Sequence, residues 1–134
     1  MDHSQERRFV ESFIVKNRRE RLLNMLTTPK KRHEGLSRFC HRAKDLLDPD
    51  RIIMEGEDLE RRPEFMSFAK AHGEMCLVLS PDPFVDGQLL PFEDAVIQAV
   101  MSFDAVIIIG KDFAAVFGEV MKGGRGKYLL SEYK

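Results

Sequence analysis

Three acidic residues, Glu55, Asp82 and Asp112, each stand just past an apolar run that reads as a β-strand. In open sheets with parallel strands, the edge beyond the strand ends is where ligands bind. Carboxylates converging there would hold Mg²⁺, which takes hard oxygen ligands and supports phosphoryl transfer. Turns favour Asp and Gly for backbone reasons alone, so loop chemistry explains the same residues. A second group is cationic. Lys31, Arg38 and Arg42 follow one another at i, i+7 and i+11, on one face of an expected helix. Such a face suits phosphate, because each neutralised phosphate releases counterions. Glu34 and Asp45 lie close enough in sequence to lace the same face with local ion pairs.

The remaining chemistry-bearing residues form no motif. Gly123-Gly124-Arg125-Gly126-Lys127 lacks phosphate-loop spacing, with Met121 where the first Gly should be and Tyr128 after the Lys. It reads as a glycine-rich hairpin turn. Pro81-Asp82 with the later Glu132-Tyr133-Lys134 is similar to the Pro-Asp and Glu-x-Lys pieces of metal-dependent nucleases. No two adjacent expected strands carry those pieces in the required order. His41 follows Cys40, but helix neighbours point about 100° apart, so adjacency alone makes no nucleophile–base pair. Cys40 and Cys76 are expected to be buried thiols. No catalytic residue and no cofactor is expected.

The elements that must position these residues follow from periodicity. Phe9, Val10, Phe13 and Ile14 form one helical stripe, and Leu22, Leu23, Met25 and Leu26 form another on the opposite side. This predicts two helices, about 4–15 and 18–26, bent near Asn17, with Asn17 and Glu20 as a capping box. Thr28-Pro29 opens a third helix, carried by Leu36, Phe39, Cys40, Ala43, Leu46 and Leu47 and stopped at Asp48-Pro49. Strands are expected at 51–54, 75–79, 105–109, 113–120 and 127–130. Helices are expected from Pro63 to a left-handed Gly73 and from about Pro91. Ile97 and Met101 extend the apolar surface of the latter, which predicts deep burial. Met66, Met75 and Met101 read as core gap-fillers.

The predicted fold is therefore α+β. One domain spans 1–134, with a basic helical part at 1–48 and an acidic α/β part at 49–134. Its mixed sheet has about five strands. Two parallel-type strands with helical crossovers come first, then a C-terminal antiparallel meander, packed with the N-terminal helices. Charge is sorted along the chain: residues 1–44 hold 12 Lys and Arg against 5 Asp and Glu, within an overall net charge of −1. No run of about 18 apolar residues occurs and no apolar stretch follows the polar start, so a cytoplasmic setting without membrane contact is expected. Function is read from charge alone. The expectation is a non-enzymatic protein-interaction or regulatory module, of inhibitor or immunity type, with a protein partner or self-association. The alternatives are nucleic-acid binding through the basic helices and metal-dependent phosphoryl transfer.

Overall fold

The computed structural model describes residues 3–132. Helix α1 (Ser4–Phe13) leads through an extended Ile14 into a 3₁₀ turn at Lys16–Arg18 and then α2 (Arg19–Thr27). The predicted bend is present, but no side-chain cap forms there. The break is held from outside instead. Val15 N–H donates to the Leu46 carbonyl and Asp48 N–H to that of Phe13, so the bend is clamped by the segment after the third helix. That helix, α3 (Pro29–His41), breaks at Arg42 and resumes as the short α4 (Ala43–Leu46). Pro29 takes the first helical position, as expected. Gly35 permits a close crossing, since a Cβ there would stand 2.8 Å from that of Met25 on α2.

The acidic part contributes β1 (Ile52–Glu55), α5 (Pro63–Ala71), β2 (Met75–Leu79), β3 (Leu89–Pro91), α6 (Phe92–Met101), β4 (Val106–Ile109), β5 (Phe113–Phe117) and β6 (Lys127–Ser131). They make one sheet of six strands in the order β1-β6-β5-β4-β2-β3. Every pairing is antiparallel. The C-terminal meander is as expected, and the parallel start is not. β1 and β2 run in the same direction, yet β6, β5 and β4 lie between them. The apolar runs misled for a physical reason. Helices cover both faces of this sheet, and a strand buried on both sides reads as a continuous apolar run whatever its direction. The additional strand, β3, is three residues long and hairpins back on β2 around Gly87, whose φ is +87°. Gly73, expected to be left-handed, has no positive φ; α5 ends at Ala71 with His72 as its cap.

Side-chain alternation divides the core in two. Leu79, Ile107, Ile109, Ala114, Val116 and Leu130 face α1–α4 and pack with Phe9, Phe13, Leu26, Leu36 and Phe39. Cys76, Val78, Val106, Ile108, Phe113, Phe117 and Leu129 face α5 and α6 and pack with Phe65 and Phe92. Four helices thus cover one face and two cover the other.

Cationic and anionic segments are partly interleaved. Arg32 grips Asp86 through two bonds of 2.8 and 3.0 Å and also reaches Glu6 at 3.0 Å. The hydrogen bond to Asp86 outweighs burial and holds this guanidinium above its ordinary pKa. Arg8 lies 3.7 Å from Glu132.

Candidate functional site

The carboxylates Glu55, Asp82 and Asp112 do not converge. Glu55 ends β1 opposite Tyr128, and Asp82 follows β2 at the same end of the sheet, four strand spacings away, roughly 19 Å. Asp112 lies in the β4–β5 hairpin at the opposite end. The side chain of Asp82 accepts the Phe84 amide at 2.9 Å, so it shapes its own turn. Among the described residues, no group of three or more His, Cys, Asp and Glu side chains is placed to hold a metal ion. Of the nuclease-like pieces, Tyr133 and Lys134 lie outside the described residues.

A polar cleft of about 480 Å³ opens between α3 and the loops around β2, β4 and β5. His33, Ser37, Cys40, His41, Asp82, Asp104 and Glu119 line it. Its residue types invite a nucleophilic reading, and its geometry does not support one. His41 Nδ1 is 2.5 Å from a Glu119 carboxylate oxygen. Cys40 is buried, and that burial, reinforced by the charges of Glu119 and Asp104, pushes its thiol pKa up to about 12. The nucleophile would be the thiolate. Cys76 is likewise pushed up to about 12, by burial first and then Glu74. Both cysteines are free. Neither should react with a disulfide reagent at about pH 8 in the folded protein, and both should react on unfolding. Rapid labelling of one thiol before denaturant is added would contradict this.

The basic cluster is redistributed. The turn at Thr28 folds α2 back on α3, bringing the start of one helix against the end of the other. Arg18, Arg21, Arg38 and Arg42 consequently line a single cleft of about 100 Å³ floored by Leu22, Met25, Phe39 and Leu46. Arg38 and Arg42 are two of the three residues expected together from the helix face. Lys31, near the other end of α3, does not line the cleft.

The α5/α6 layer holds a groove that the sequence reading missed. It measures about 390 Å³ and is lined by Phe65, Met66, Ala69, Val96, Ile97, Val100 and Met101, with Glu60 and Glu93. Ile97 is 57% exposed, Met101 77% and the following Phe103 82%. The deep burial expected for Ile97 and Met101 is incorrect, as is the gap-filling role for Met66, Met75 and Met101. Apolar residues run most of the way round α6, and one side of that surface has nothing packed on it. The Phe103 carbonyl accepts the Val120 amide at 3.0 Å, setting the exposed Val120 and Met121 segment beside the end of α6.

Glu60 at the groove rim is tied to the sheet. Lys127 Nζ lies 2.8 and 3.0 Å from its two carboxylate oxygens and 2.7 Å from the Glu57 carbonyl. Burial raises the Glu60 pKa, but the hydrogen bond from Lys127 and nearby positive charge outweigh it and leave the group below its usual value. A depressed carboxylate pKa stabilises the fold above the unfolded value, and that stability is lost as pH falls through the folded one. Wild-type protein should therefore exceed Glu60→Gln in urea midpoint near neutrality, and the gap should close below about pH 4. A gap unchanged in acid would show that the ion pair does not stabilise the fold.

No protein-family model matches the chain, and neither a curated protein nor a solved structure resembles it significantly. Among the described residues no helix is long and apolar enough to cross a membrane.

Proposed function

We propose that this protein is a non-enzymatic interaction module whose α5/α6 groove receives a helical segment of a protein partner, apolar on one face and flanked by lysine or arginine. The observation that carries the reading is the contiguous exposed apolar surface of Met66, Ile97, Val100 and Met101. An apolar groove of this kind is how an amphipathic helix is recognised, through anchors on one of its faces. Charge selects the partner. Glu93 lines the groove and Asp94 the adjoining hollow, with no lysine or arginine among the lining residues of either, while Glu60 at the rim is already matched by Lys127. Glu93 and Asp94 make no ion pair among the described residues. An inhibitor- or immunity-type role, in which the groove occupies a basic partner, is the specific form this favours.

Fluorescence anisotropy with two amphipathic model helices tests it, one of leucine and lysine and one of leucine and glutamate. The lysine peptide should bind and the glutamate peptide should not. Ile97→Ser with Met101→Ser should weaken binding at least about ten-fold, equivalent to ~1.4 kcal/mol. The melting temperature should hardly move, since both side chains are already exposed. Equal binding of both peptides, or of neither, would refute the charge-matched partner. So would a light-scattering dimer that the same double substitution converts to monomer, because the groove would then be a contact between two copies.

A further inference from the structure

We infer that the cleft between α2 and α3 is a phosphate site, and that its ligand is the phosphodiester backbone of a nucleic acid. Four arginines surround it and no carboxylate lines it. Outside the cleft, six of the eight arginines are tied to the chain's own oxygens, Arg7 and Arg61 being the exceptions among the described residues. Arg19 donates to the Ile14 carbonyl, Arg51 to that of Glu132, and Arg32 to Asp86 and Glu6. In the cleft only Arg38 has a side-chain partner among the described residues, Glu34 at 2.7 Å, and both members of that pair are about half exposed. Arg18, Arg21 and Arg42 have none.

Helix stability does not explain this placement. Cations at a helix C-terminus complement the dipole, which accounts for Arg38 and Arg42. Arg18 and Arg21 stand at the N-terminal end of α2, where the dipole opposes a positive charge. Gathering guanidinium groups at that end costs energy that an oxyanion would return. Their planar forks match phosphate geometry. The apolar floor is shut, with Phe39 and Leu22 buried, so no base can stack there and the recognised group is the phosphate itself. Nor does the charge stop at the cleft. Residues 16–44 carry ten lysines and arginines against two glutamates, and Lys30 and Lys31 at the start of α3 are exposed, as are Lys16 just before α2 and Lys44 in α4. A chain of phosphates can follow such a track, whereas a small phosphorylated molecule would use only the cleft. This surface lies across the sheet from the α5/α6 groove and does not depend on it.

The test is anisotropy with a short labelled oligonucleotide, single-stranded and duplex, beside calorimetry with pyrophosphate. Binding is expected at low salt and should fall about 50-fold between about 50 and about 200 mM salt, for three to four phosphate contacts. Arg18→Glu with Arg42→Glu should cost about 30-fold or more, and the control Lys70→Glu with Lys122→Glu, two exposed cations outside the basic part, less than about five-fold. Both pairs are exposed, so circular dichroism should show unchanged folds. Absence of oligonucleotide binding at low salt would overturn the inference. Equal losses in the two pairs would overturn it too, by reducing the cleft to a general positive field. Pyrophosphate binding without oligonucleotide binding would overturn the nucleic-acid ligand.

Discussion

Phe113→Ala should destabilise the protein by about 3–5 kcal/mol, the range for emptying a buried aromatic site. Phe113 opens β5 and is fully buried on the α5/α6 side of the sheet. Its ring stands 4.8 Å from that of Phe92 on α6, 5.2 Å from Phe68 on α5 and 5.5 Å from His72. One side chain therefore joins both helices of this layer to the strand beneath. Phe92 and Phe65 are themselves fully buried in contact with each other, so neither is free to refill the space. The site is also shaped from below. A Cβ on Gly110 would run into the Phe113 ring, so the hairpin is glycine where the ring lies over it. Urea denaturation measures the effect. A loss under about 1 kcal/mol would mean that the layer repacks freely, contrary to the close packing expected of protein interiors. Because the groove is built on these two helices, the variant should also bind the lysine-bearing peptide more weakly.

Arg125→Met should cost about 2–4 kcal/mol, although methionine keeps much of the volume. Arg125 is 9% exposed, and its guanidinium donates to the carbonyls of Gly118, Ala99 and Asp104. It joins the β5–β6 connection to the C-terminal end of α6, where a cation also meets the helix dipole favourably. It sits 5.6 Å from the centre of the Phe117 ring. Burial lowers its pKa, opposed by the charge of Glu60. Methionine would leave three carbonyls without this donor, and loss of a partner for a buried polar group costs more than the bond contributes. Arg125→Lys should recover part of the loss, since an ammonium has three donors but no planar fork. Equal urea midpoints for the methionine variant and wild type would show that water satisfies these carbonyls equally well. In the sequence, Arg125 reads as part of a glycine-rich turn. Nothing local marks it as a tie between two distant elements, because its three acceptors are backbone atoms that any residue supplies.

What could be read in advance was local. The opposed stripes of Phe9–Ile14 and Leu22–Leu26 read as two helices with a bend, the alternative being one helix gripped on both sides, and the single sheet that both stripes face decides for the bend. Thr28-Pro29 and the β-branched run at 106–109 place the start of α3 and the central strand, whereas the break at Arg42, ahead of the expected stop at Asp48-Pro49, was not legible. The basic segment was visible as composition, and Arg38 and Arg42 as neighbours on a helix. Their meeting with Arg18 and Arg21 was not, since it depends on how α2 folds back at Thr28.

The sequence by itself determined the approximate positions of most helices and of five of the six strands, the α+β class and the charge imbalance between the two parts; it did not show β3, the end of β5 at Phe117 or the break in the third helix. Tertiary structure alone decided strand direction, the separation of Glu55, Asp82 and Asp112, the joining of the four arginines and the exposure of Ile97 and Met101. These depend on which elements become neighbours. An apolar residue carries the same pattern whether or not something is packed against it, and only the folded chain, in which Ile97, Val100 and Met101 stay exposed, shows that the α6 surface is left open.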